Sequence, residues 1–517
     1  MKRPNRLRRL STVLALTLTA CGGGAHMMMM PEAAPPMPAQ PEPVEGMNRE
    51  AYDHLTDNPF LEVASAPLST FSIDVDTASY ANVRRFLNEG RLPPPDAVRI
   101  EELLNYFDYA YPDPTGPDPF GITAEVAEAP WNPAHRLVHL GLQGRRISNS
   151  DLPPTNLVFL LDVSGSMTDA NKLPLLIQAF NLLVDSLRPQ DRVAIVVYAG
   201  AAGLVLDSTD GSDKSKIREA LNGLTAGGST AGGAGIQLAY QVAEAHKAQG
   251  GNNRVILATD GDFNVGVSSD GDLVRLIEEK RQTGIGLTIL GFGTGNYQDA
   301  KMEKLADAGN GNAAYIDTLE EARKVLVTEM GGTLLTIAED VKVQIEFNPA
   351  KVKAYRLIGY ENRLLNARDF NDDRKDAGEL GAGHNVTALY EIIPAGAAEE
   401  VGGVDPLKYQ QVAPTEAADS GDLMTVKLRY KDPGSTTSRL LTGSVRDMGL
   451  SLAKSSEIFR FSSAVAEFGL LLRASPFKAN ASYEALVARA QASVGPDPHG
   501  HRHGFIELAS RAEGLKR

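Results

Sequence analysis

Residues 157–166 read Leu157-Val158-Phe159-Leu160-Leu161-Asp162-Val163-Ser164-Gly165-Ser166. The run from Leu157 to Leu161 is apolar without alternation, the pattern of a parallel strand buried on both faces. It ends in a carboxylate and two hydroxyls at alternating positions, and open α/β sheets take their ligands just beyond the carboxyl ends of such strands. Asp162, Ser164 and Ser166 therefore stand at a sheet rim as hard oxygen donors for a small cation. A second apolar run, Val255-Ile256-Leu257-Ala258, leads into Thr259-Asp260-Gly261-Asp262 and places another carboxylate at a strand end. Between the two lies Gly227-Gly228-Ser229-Thr230, a glycine-rich loop able to bring a threonine hydroxyl to the same ion. A Mg²⁺ ion takes about six oxygen ligands in near-octahedral geometry and usually keeps some water. Two carboxylates and three hydroxyls suit it and leave a position for water or for an acidic group of a partner.

Helix capping by Asp162 and the serines is the structural alternative, but it explains neither the second aspartate nor the threonine loop. Catalysis is weakly supported. A serine nucleophile needs a base, and His246, the histidine falling within this stretch, is placed near a helix end away from the rim. Asp262 reads as a loop residue. Gly291-Phe292-Gly293-Thr294-Gly295 lacks the Lys-Ser/Thr of a phosphate-binding loop and the spacing of a dinucleotide fingerprint. It is read as a tight strand-to-helix turn at the same rim, and no nucleotide and no enzyme activity are expected.

Asp162-Val163-Ser164-Gly165-Ser166, Thr230 and Thr259-Asp260-Gly261 resemble the metal-ion-dependent adhesion site (MIDAS) of von Willebrand factor type A (VWA) domains. The resemblance implies a Rossmann-like, doubly wound α/β domain holding Mg²⁺ or Mn²⁺ on Asp162, Ser164, Ser166, Thr230 and Asp260. It further implies that the ion captures an Asp or Glu of a protein partner. More widely, residues 71–87, 383–394, 459–472 and Asn480-Ala481-Ser482-Tyr483 resemble bacterial VWA lipoproteins with a characteristic N-terminal segment and C-terminal domain.

The amino terminus carries the compartment signal. Lys2, Arg3, Arg6, Arg8 and Arg9 precede a short apolar segment at 13–18, too short for a stable span. Residues 1–20 thus read as a signal peptide. Leu18-Thr19-Ala20-Cys21 resembles a lipobox, and Cys21 is the single cysteine of 517 residues. Acylated Cys21 would anchor the chain to a membrane and leave no disulfide to hold the fold. Gly22 is compatible with outer-membrane sorting, so the expected location is the bacterial envelope, facing the periplasm or the cell surface. The net charge is −14, and a chain lacking a basic face is a poor nucleic-acid binder. Residues 21–58, with Met27 to Met30 and repeated prolines, read as a disordered tether.

The globular part divides into an N-terminal region at 59–152, the α/β domain at 153–332, a β-rich region at 333–450 and a helical region at 451–517. Strands are expected at 71–75, 122–126, 137–142, 157–162, 192–198, 254–260, 286–292, 313–316, 341–347, 352–358, 386–393 and 423–430. Helices are expected at 171–187, 213–222, 234–248, 270–283, 298–308 and 319–330, and three more from 458 onward. Period-two patterning at Val386, Ala388, Tyr390 and Ile392 marks a sandwich, and strands 122–142 belong to it if the α/β domain is an insertion. Trp131 reads as a core or interface anchor. Asp74 and Asp76 read as capping or salt-bridged groups, and His499, His501 and His503 as solvent-exposed. The expected function is a membrane-anchored, metal-dependent binding module. The alternatives are an envelope scaffold with a structural metal and, less favoured, a metal-dependent hydrolase.

Overall fold

The computed structural model describes residues 50–516, apart from 74–75, 149, 228–231, 262–269, 296–297, 330–331, 333–334, 376 and 403–412. The expectations for the leader, for Cys21, and for Asp74, Thr230 and Asp262 therefore lie outside the described residues.

The apolar run becomes the strand Thr155–Asp162, buried at every position. Beside it runs Asn252–Thr259, buried at all but its first residue. They are the central pair of a six-stranded sheet ordered Ala313–Ile316, Gly286–Phe292, Asn252–Thr259, Thr155–Asp162, Arg192–Tyr198 and Ala202–Asp210. The first five strands are parallel, and the last runs antiparallel to its neighbour. Chain order runs outward in both directions from Thr155–Asp162. The topological switch therefore falls between this strand and Asn252–Thr259, where doubly wound sheets open their binding crevice. The edge strand Ala202–Asp210 was not anticipated, because its burial is irregular and Leu204 and Val205 are exposed. The helix expected at 319–330 is Leu319–Arg323 followed by a π-helical turn, Lys324–Thr328.

The β-rich part is a sandwich of two antiparallel sheets. One is ordered Leu61–Glu62, Val352–Ile358, Asn385–Pro394, Asn132–Gly144, Phe120–Ala129. In the other, Thr336–Phe347 pairs with Gly378–Gly381, Met424–Lys431 and Leu68–Ser72, and Ser438–Val445 closes the far edge. Val138, Leu140, Ile345, Tyr355, Tyr390 and Val426 fill the space between them. The α/β unit leaves this sandwich after Asn132–Gly144 and returns to it at Thr336–Phe347, so it is an insertion.

The helices Glu457–Leu472, Tyr483–Gln491 and His501–Lys516 join Ile100–Asn105 to cover the outer face of the first sheet, around a fully buried Trp131. The helix Ala78–Asn88 ties the two halves together. Its Ala78 and Ala81 enter the α/β core, while Tyr80, Val83 and Leu87 enter the helical core. Asp76 is salt-bridged and bonded to backbone: it accepts the Ala313 N–H at 2.8 Å and faces Arg363 at 3.8 Å.

Two sequence expectations need correction. Residues 50–58 are part of the packed structure rather than the tether. Asn82 donates to the Tyr52 hydroxyl at 2.7 Å, Asn58 donates to the carbonyls of Leu357 and Gly359, and Asp57 pairs with Arg473 at 3.0 Å. Specific polar anchors order a stretch whose composition resembles its disordered neighbour. His501 is half-buried, its ring edge-on to Tyr106 at 5.6 Å, whereas His499 and His503 are exposed.

Candidate metal centre

Asp162 closes its strand at the switch point, and Asp260 follows the end of the neighbouring strand, so the two carboxylates share one rim. Asp162 is fully buried and Asp260 is 1% exposed. Thr259 Oγ1 donates to Asp162 Oδ2 at 3.3 Å, and the Ser164 N–H donates to Asp162 Oδ1 at 2.9 Å. The Tyr198 hydroxyl, at the end of the next strand, faces Asp162. Burial pushes the Asp162 carboxyl above its ordinary range and the Asp260 charge adds to this, while the bonds from Ser164 and the nearby Tyr198 hydroxyl oppose it.

Ser164 precedes the short 3₁₀ turn Gly165–Thr168, but its side chain caps no backbone N–H there. Its Oγ instead lies 3.0 Å from Ser166 Oγ. Neighbouring ligands of an octahedral Mg²⁺ at about 2.1 Å stand about 3 Å apart, so the two hydroxyls are spaced as one edge of such a shell. The glycine-rich loop reaches the same rim through its described end, where the Gly227 N–H donates to the Val163 carbonyl at 2.8 Å. The all-oxygen donor set fits a hard divalent cation.

A residue that sequence reasoning missed stands in this cup. Lys172, 5% exposed, places Nζ 2.9 Å from Asp260 Oδ2 and 3.1 Å from the Ser166 carbonyl oxygen. Its stem is held by the turn at Gly293, where φ is +75°. A Cβ there would come within 2.4 Å of Lys172 Cε, so the position requires glycine both for its conformation and for its space. That turn belongs to Gly291–Gly295 as expected, and it is pinned by the Tyr315 hydroxyl on the Gly293 carbonyl and by Glu50 on the Gly295 N–H. Lys172 had a readable signal. A cation immediately before the helix Leu173–Ser186 opposes the helix dipole and needs another reason to be there.

Three family patterns cover most of the chain. The von Willebrand factor type A domain matches residues 156–328, von Willebrand factor matches 46–139, and "Uncharacterized protein YfbK, C-terminal" matches 332–515. Over 472 residues the chain is 45% identical to Uncharacterized protein YfbK of Escherichia coli (strain K12), covering 90% of this chain and 81% of that protein. The chain belongs to the YfbK family of bacterial VWA proteins.

Among solved structures, von Willebrand factor type A from Catenulispora acidiphila is 19% identical with a TM-score of 0.40, over 78% of this chain and 91% of that one. Proximal thread matrix protein 1 from the mussel byssus, with zinc occupied MIDAS motif, is 23% identical with a TM-score of 0.29, over 34% and 44%. In this YfbK-family chain the structure thus brings together Asp162, Ser164, Ser166 and Asp260, with Lys172 and Tyr198 as additional members. Among the described residues, no histidine bonds to either serine.

Proposed function

We propose that this protein is a lipid-tethered, divalent-cation-dependent binding module of the bacterial envelope, which captures an acidic residue of a protein partner. The observation carrying this reading is the donor set at the switch point: two buried carboxylates with two serine hydroxyls 3.0 Å apart. Asp162, Ser164, Ser166 and Asp260, with Thr230 from the adjoining loop, are the residues that would hold Mg²⁺ or Mn²⁺. Bound there, the ion would supply a Lewis acid for a partner carboxylate. The hydroxyls carry no charge and leave the ion electrophilic, while the buried aspartates fix its place. Among the described residues no histidine is bonded to either serine, which favours binding over hydrolysis. The tether rests on Cys21 and the leader before it.

Lys172 adds a condition. Its ammonium already neutralises Asp260, so Asp260 serves an incoming cation only after Lys172 turns away. The same ion pair favours a second reading, an envelope scaffold whose rim is closed by Lys172 and carries no partner carboxylate. Thermal unfolding with MgCl₂, with MnCl₂ and with EDTA, beside the Asp162→Ala variant, tests the choice, because ligand binding to the native state raises its stability. A metal-dependent rise that Asp162→Ala lacks is expected. An unchanged melting temperature at millimolar metal overturns the binding reading and leaves the scaffold.

A further inference from the structure

At the opposite end of the inserted sheet, where it meets the sandwich, lies a cavity of about 320 Å³. Its floor includes Arg254, the third residue of the strand Asn252–Thr259 and 7% exposed. The guanidinium is held in place: Nη1 donates to Thr288 Oγ1 at 3.0 Å, and a Cβ at Gly286 would lie 3.1 Å from its central carbon. Among the described residues Arg254 makes no ion pair, and the bond to Thr288 is the one hydrogen bond of its side chain. Burial draws its pKa down, against the opposing pull of the nearby Glu379 charge. An unpaired buried guanidinium is unfavourable unless an acceptor is brought to it.

The other charges in the wall are largely spoken for. Arg363 is bound to Glu303 at 2.6 Å and to Asp307 at 2.8 Å. Glu379 accepts hydrogen bonds from Asn310 and Thr336. His384 is kept neutral by burial, which lowers its pKa. Counting the Glu303 that binds Arg363, the cations Arg254, Arg363 and Lys375 are equalled in number by Asp307, Glu379 and Glu303, but none of these carboxylates stands at ion-pair distance from Arg254. The volume suits a small organic acid or a phosphate, and the planar guanidinium matches either oxyanion in a two-pronged contact.

We propose that this cavity is a binding site for a small oxyanion, a carboxylate or a phosphate group, seated on Arg254. The site is independent of the metal centre and does not rest on the function proposed for it. The test is thermal unfolding and isothermal titration of the protein with inorganic phosphate and, separately, with acetate, against chloride at equal ionic strength. The variants are Arg254→Met, and Arg254→Lys in case the first does not fold. At ten times its dissociation constant, an anion should raise the melting temperature by about 1–2 °C, and both variants should lose most of that rise. A response to phosphate alone or to acetate alone identifies the ligand class. No response of the wild-type protein to either anion at tens of millimolar overturns the proposal. An equal response in the Arg254 variants overturns it too, because the anion then binds elsewhere.

Discussion

One strand, Asn252–Thr259, carries a buried cation near its start and leads into a buried anion at its end. Arg254 and Asp260 are six residues apart, about 20 Å along an extended chain. Asp260 is answered from within, by Lys172 at 2.9 Å. Arg254 has, among the described residues, no carboxylate at ion-pair distance: its side chain bonds to the Thr288 hydroxyl, and Glu379 acts on it from further off. Both positions have a glycine opened beside the charged chain, Gly293 against Lys172 and Gly286 against Arg254. The contrast is instructive, because the two ends differ in what completes them. A rim closed by its own lysine is a latched site, for which an external cation must compete. A guanidinium with no carboxylate at ion-pair distance is an open site, where an external anion can come closer than the more distant Glu379.

The largest expected effect comes from removing the latch. Lys172→Met leaves Asp162 and Asp260 buried together without a cation, a loss of about 3–5 kcal/mol in EDTA by denaturant unfolding. Mg²⁺ should restore more stability to this variant than it adds to the wild-type protein. If the variant is as stable as wild type in EDTA, the latch does not hold the rim. Gly293→Ala should act on the same contact indirectly. The positive φ and the displaced Lys172 stem together cost about 2–3 kcal/mol, and apparent metal affinity should rise as the ammonium leaves Asp260.

A third buried group shows a further solution, neutrality. His139, 1% exposed in the sandwich, bonds to the Tyr111 hydroxyl at 2.6 Å and to Ser462 Oγ at 2.9 Å, and burial lowers its pKa to about 3. The folded-state value lies below the ordinary one, so the unfolded chain takes up the proton first as pH falls. Stability is therefore lost progressively below about pH 6.5, by about 2 kcal/mol at pH 5. Denaturant unfolding of His139→Gln between pH 7 and 5 should show this slope reduced by one proton. The smallest effect on stability belongs to Ser164→Ala. Its hydroxyl makes weak, local bonds, to Ser166 at 3.0 Å and toward the Asp162 carboxyl, so the loss in EDTA should stay below about 1 kcal/mol, while metal affinity falls by about tenfold or more.

Much of this was legible in the chain. The unbroken apolar runs at 157–161 and 255–258 have the pattern of strands buried on both faces, and their polar ends place Asp162 and Asp260 at one rim. Period-two patterning, shown in Met424–Lys431 by strict alternation of buried and half-buried residues, marked the sandwich. What escaped notice were single charges whose partners lie far away in sequence. Lys172 meets Asp260 across 88 positions, and Glu50 meets Gly295 across 245. No local pattern announces such pairs, although a lysine before an apolar helix and an arginine opening an apolar strand were both anomalies open to question. The edge strand Ala202–Asp210 escaped for the opposite reason, since half of its surface faces solvent and its pattern is weak.

The most direct test is isothermal titration of MgCl₂ and MnCl₂ into the wild-type protein and its Asp162→Ala, Asp260→Ala and Lys172→Met variants. The latched-site account predicts one ion per chain in the wild-type protein, loss of binding in both aspartate variants, and tighter binding in Lys172→Met. Absence of binding in both the wild-type protein and Lys172→Met, or binding that survives Asp162→Ala, would contradict it.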